Sequence, residues 1–132
     1  MPIHKTLNHD FFKVWSEDMA YVLGFFAADG NMIRNKRGAH FVEFQITDRH
    51  IVFDIRRTIG SNHKITVRTR NGNQKTIFRL QIGSATWFTD LISRGFVPAK
   101  SKVLVFPKVP RKYIGSFIRG YFDGDGGVYF KK

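Results

Sequence analysis

The amino-acid sequence predicts an α+β fold, one α-β-β-α-β-β-α unit with an antiparallel sheet followed by one further helix. Two kinds of apolar spacing lead there. Intervals of three and four mark helices over 17–28, 48–59 and 84–93, and strict alternation marks strands over 40–47, 64–70 and 75–82. The third observation is a repetition. Ala20, Gly24 and Ala28 recur as Ser116, Gly120 and Gly124 at a constant offset of 96, and each series runs into Asp-Gly, Asp29-Gly30 and Asp125-Gly126.

Composition sets the bounds. A chain of 132 residues is one domain of ordinary size, and 42% hydrophobic content with 14 Phe supplies a packed core. Lys and Arg number 22 against 10 acids, a net charge of +12 that calls for a polyanionic partner, nucleic acid first among them. The absence of cysteine excludes disulfides and thiolate metal sites and fits a reducing compartment. Five scattered His show no ligand spacing. The longest apolar run, 21–28, is far too short to span a bilayer and no signal peptide precedes it, so the expectation is a cytoplasmic protein, or one of an organelle or nucleoid, without a membrane partner.

Taken in order, 1–16 reads as an arm whose Phe11, Phe12 and Trp15 pack on the body. Ser16 caps the first helix, with Glu17 and Asp18 in its first turn, where the dipole favours acids. A strand entering a basic turn follows at 31–38. In 40–47, Val42, Phe44 and Ile46 share one face. Asp48 caps a helix striped by Ile51, Ile55 and Ile59, and Gly60 ends it. A hairpin turning at Asn71-Gly72 joins the next two strands, with Phe78, Leu80 and Ile82 on one face. Ser84 caps a third helix whose apolar face is Trp87, Phe88, Leu91 and Ile92, stopped by Gly95 and Pro98. Pro110 suits the first position of the last helix. The division expected is therefore an arm (1–16), one complete repeat (17–109) and the opening helix of another (110–132).

Small residues four apart form a ridge that lets two helix backbones approach closely. Glycine in the left-handed conformation closes each helix at Asp-Gly. Each carboxylate then sits at a carbonyl end, where the macrodipole disfavours it by roughly 0.3–1 kcal/mol. If the helices pack in parallel, Asp29 and Asp125 meet and require a cation. One apolar helix ending in Asp-Gly is ordinary, but a duplicated ridge with a duplicated acid is not.

The stretches VLGFFAADG (22–30) and IRGYFDGDG (118–126) resemble the signature of the LAGLIDADG homing endonucleases. Both keep its central Gly and final Asp-Gly. Ala27 replaces the earlier acid in the first copy, and Asp123 retains it in the second. The resemblance implies a helix interface of Ala20, Gly24 and Ala28 against Ser116, Gly120 and Gly124. It also implies Mg²⁺, with Mn²⁺ or Ca²⁺ able to take its place, held by Asp29 and Asp125 with the carbonyls of Ala28 and Gly124. Lys100 and Lys102 are candidates to assist catalysis. The expected activity is site-specific double-strand cleavage of DNA in intron or intein mobility. The basic sheet would read the duplex through Asn35, Arg37, Glu43, Gln45, Arg68, Arg70, Lys75, Arg79 and Gln81. Two-motif relatives usually carry a second sheet, whereas this chain stops six residues past Gly126. The expected state is a monomer with its motifs paired within the chain, and a homodimer is the alternative. Two further readings stay open, a non-catalytic nucleic-acid binder such as a maturase or transcription regulator, and an inactive fragment.

Overall fold

The computed structural model describes residues 5–69, 76–97 and 107–125, and within them the α+β order is as expected. Helix α1 (Glu17–Asp29) leads into β1 (Gly30–Arg34), β2 (His40–Ile46), α2 (Arg49–Thr58), β3 (Ile65–Arg68), β4 (Ile77–Gly83) and α3 (Ala85–Ser93). A 3-10 turn (Arg111–Tyr113) then opens α4 (Ile114–Gly124).

Side-chain caps fix the helix starts. Ser16 accepts from the Met19 amide, Asp48 from those of His50 and Ile51, and Ser84 from that of Trp87. Gly60 and Gly95, both at positive φ, let the chain turn after α2 and α3. Pro110 is not the first residue of α4. It precedes the 3-10 turn, in which the Tyr113 amide bonds to the Pro110 carbonyl at 2.8 Å, and regular helix begins at Ile114.

The sheet is antiparallel throughout, in the order β1-β2-β4-β3. Its inner face, Met32, Val42, Phe44, Ile46, Leu80 and Ile82, is buried beneath the helices. Helix α1 is apolar on nearly every side because it is enclosed twice, by the sheet and by α4. Phe26 meets Phe44 edge-on with ring centroids 5.8 Å apart, which seats α1 over the central strand.

Two helix faces differ from expectation. Val52 rather than Ile51 is the fully buried partner of Ile55 and Ile59. Ile92 points outward while Trp87, Phe88 and Leu91 carry the burial of α3. The segment before α1 is anchored to α3: Phe12 is fully buried with its ring 4.6 Å from that of Trp87, the Trp87 indole donates to the Asn8 carbonyl, and Arg94 donates to the Phe12 carbonyl.

The outer face of α4 has another character. Ile114, Ile118 and Phe122, spaced by four, stay exposed beside a groove of about 480 Å³. Under the offset of 96, Ile118 and Phe122 correspond to Val22 and Phe26, which are buried in the first copy.

Candidate metal centre and nucleic-acid interface

Helices α1 and α4 run in parallel with their backbones in contact, and glycine is the reason. A β-carbon on Gly24 would lie 2.0 Å from the Phe117 carbonyl oxygen and 3.0 Å from the Tyr121 amide nitrogen. One on Gly120 would lie 2.0 Å from the Tyr21 carbonyl oxygen and 3.0 Å from the Phe25 amide nitrogen. Tyr21 and Phe25 are the offset counterparts of Phe117 and Tyr121, so the two helices are related by an internal twofold. One turn on, a β-carbon on Gly124 would meet that of Ala28 at 3.1 Å. Ala20 is fully buried and Ser116 half-buried on the same ridges.

Ala28 and Gly124 each precede a motif acid, so their contact brings the two carbonyl ends together at Asp29 and Asp125. Part of Asp29 remains open to solvent. Even so, the apolar mass of the helix ends, and then the negative charge of Asp125, push its carboxyl from the ordinary range up to about 7. Two carboxylates destabilising each other at two negative helix ends suit a divalent cation, and hard oxygen donors suit Mg²⁺. Among the described residues no three His, Cys, Asp or Glu converge on one point. The remaining ligands of such an ion would be backbone carbonyls, water and phosphate.

Glycine closes the first motif in another way than the left-handed turn expected. Gly30 is extended, at φ −96°, and starts β1 directly. What excludes a side chain is the Phe26 ring, whose Cδ1 would lie 2.0 Å from a β-carbon. The equivalent Gly126 lies outside the described residues.

One contact breaks the twofold. The Tyr21 hydroxyl donates to Asp123 Oδ2 at 2.5 Å, whereas the counterparts of those residues are Phe117 and Ala27. Burial, then the hydrogen bond to Asp123 and its charge, raise the Tyr21 phenol well above its usual range. The signal was present in the alignment of the two copies, because Tyr for Phe and Asp for Ala are complementary departures.

On the outer face of the sheet, register sets Gln45 opposite Arg79, Arg79 opposite Thr66, and Glu43 opposite both Asn31 and Gln81. A groove of about 440 Å³ lined by Gln45, Thr66, Arg68, Ile77 and Arg79 runs over this face. Two of the expected reading residues differ from expectation. Glu43 is only 3% exposed, covered by its neighbours, so its carboxylate is not offered outward. Asn35 uses its side-chain oxygen within the β1–β2 turn, accepting from the Arg37 and Ala39 amides, which leaves Arg37 exposed at the tip. Arg70, Lys75, Lys100 and Lys102 lie outside the described residues.

Over 137 aligned positions the chain is 27% identical to an uncharacterised protein of Methanocaldococcus jannaschii, an alignment covering 99% of this chain and 46% of that protein. The chain thus spans about half the length of the curated relative it matches. Residues 16–92 match the family described as LAGLIDADG-like domain, a span from the α1 cap through the whole sheet into α3. With the paired motif helices and the four-stranded antiparallel sheet, that match makes this chain a member of the LAGLIDADG family, whose proteins are generally DNA-binding and generally nucleases.

Proposed function

We propose that the protein is a site-specific, Mg²⁺-dependent endonuclease acting on double-stranded DNA. The observation that carries this reading is the convergence of Asp29 and Asp125 at the ends of two parallel helices, with the Asp29 carboxyl raised by burial and then by the charge of the other acid. A purely structural helix pair gains nothing from two mutually repelling carboxylates.

The residues divide the work by position. Asp29 and Asp125, with the carbonyls of Ala28 and Gly124, would hold the ion. The chemistry that an ion held by these residues would supply is activation of a water for attack and neutralisation of charge on the scissile phosphate and leaving oxygen. The outer sheet face, with Arg68, Arg79, Gln45 and Gln81, holds the duplex in the major groove, arginines favouring guanine or phosphate and glutamines favouring adenine. One acid per helix serves one strand each, so the twofold of the helices suits a double-strand break. Pairing of both motifs within one chain favours a monomer as the unit that carries the metal site.

Supercoiled plasmid incubated with Mg²⁺ and with chelator tests the reading, with Asp29→Asn and Asp125→Asn as controls. Metal-dependent nicking that both substitutions abolish is the expected result. Nicking undiminished in Asp29→Asn would overturn the assignment, and duplex binding without any cleavage would favour a maturase-type or regulatory binder.

A further inference from the structure

Glu43 is an acid on the sheet face assigned above to DNA, a position where a negative charge is unfavourable unless it performs a task. It sits on the central strand β2 and is almost fully buried. Its two oxygens are occupied from three sides. Gln45 Nε2 donates to Oε2 at 2.7 Å, Gln81 Nε2 donates to Oε1 at 3.3 Å, and Arg79 Nη1 lies 3.8 Å from Oε1.

A carboxylate only accepts, so it dictates which end of each amide faces it. Both glutamines must turn Nε2 toward Glu43, and the planar amide then directs each Oε1 elsewhere. Among the described residues no hydrogen bond engages either Oε1, and both glutamines are exposed. The centre of this face therefore presents two oriented acceptors.

We infer that Glu43 is a positioning residue for sequence recognition: by fixing the amides of Gln45 and Gln81 with their oxygens outward, it makes the sheet centre select bases that offer a major-groove donor and reject guanine. The inference rests on the proposal that this face reads duplex DNA. Adenine offers N6–H, and its N7 can take the second Nε2 hydrogen. Cytosine offers N4–H alone. Guanine offers only the acceptors O6 and N7 and faces each Oε1 with a repulsive contact. Without Glu43 each amide could turn over and donate to guanine. With it, turning over would set the amide oxygen against a buried carboxylate. Arg79 keeps its guanidinium beside the same carboxylate, which offsets the negative charge under an approaching polyanion.

The test is selection of bound sites from a random-sequence duplex library, performed in chelator so that binding is read without cleavage. Wild-type protein should enrich adenine or cytosine at two positions of its site. Glu43→Gln, an isostere that can both donate and accept, should admit guanine there, lowering discrimination by about tenfold per position while the remaining positions keep their preference. Should Glu43→Gln fold poorly, Gln45→Ala with Gln81→Ala alters only exposed side chains and should erase the preference at those same positions. Guanine enriched by the wild type at the positions these variants affect, or a consensus identical in all variants, overturns the inference and leaves the DNA-reading sheet standing. Absence of any selected consensus in the wild type removes the sheet reading and this inference together.

Discussion

Gly24 and Gly120 occupy equivalent places in the helix pair, each lying where a β-carbon would be 2.0 Å from a main-chain carbonyl oxygen of the opposite helix. Backbone cannot step aside as a flexible side chain can. Alanine ordinarily stabilises a helix interior by about 1 kcal/mol over glycine, and overpacking costs typically 1–3 kcal/mol or more. Here the second effect wins, because the overlap is with backbone. Gly24→Ala and Gly120→Ala should each lower the urea midpoint, and by similar amounts. A neutral Gly120→Ala beside a damaging Gly24→Ala would show that α4 is not paired with α1 in solution.

Stability should depend on pH through Asp29. Its folded carboxyl titrates near 7 and its unfolded carboxyl near the model-peptide value of 3.8. Between those values the folded state binds the extra proton. The contribution is therefore fully present below about pH 4 and is lost as pH rises through 7. In chelator, the melting temperature attributable to this group should fall from pH 5 to pH 8. Asp29→Asn should remove that component and melt higher than wild type at pH 8.

Divalent metal should act in the opposite sense at the same place. An ion bound only by the folded pairing of Asp29 and Asp125 raises stability by mass action. At pH 8, Mg²⁺ should raise the melting temperature of wild type above its value in chelator and leave Asp29→Asn unmoved. Equal wild-type melting points in both conditions would count against the metal site.

The hydrogen bond from Tyr21 to Asp123 invites a double-mutant cycle. Tyr21→Phe installs the residue that the second copy carries at this place and deletes a bond to a charged acceptor, contributing about 1.5–3 kcal/mol. Asp123→Ala installs the residue of the first copy. Each should destabilise alone, and the double variant should lose much less than the sum, because it restores the twofold with neither partner stranded.

Affinity for duplex DNA should fall steeply with salt as phosphate neutralisation releases counterions. Arg68→Ala with Arg79→Ala should reduce the slope of log K against log salt by up to about two and weaken sequence preference. A salt slope and a consensus that both survive this change would remove these arginines from the interface.

By itself the sequence determined the element order, the caps at Ser16, Asp48 and Ser84, the buried row Val42, Phe44 and Ile46, and the duplicated ridge ending in two acids. These are local properties: a cap needs one side chain and a nearby amide, and burial on a strand follows from alternation. Tertiary structure alone decided what each residue faces across the fold. Gly30 needs to be glycine because of the Phe26 ring rather than its own φ. Glu43 alternates like a reading residue, but two glutamines and an arginine from adjoining positions enclose it. Tyr21 and Asp123 are 102 residues apart and become partners only when α4 docks on α1. Spacing along the chain fixes which side of an element a residue is on. Which groups meet there depends on the register between elements, and that register is set by packing of the whole chain.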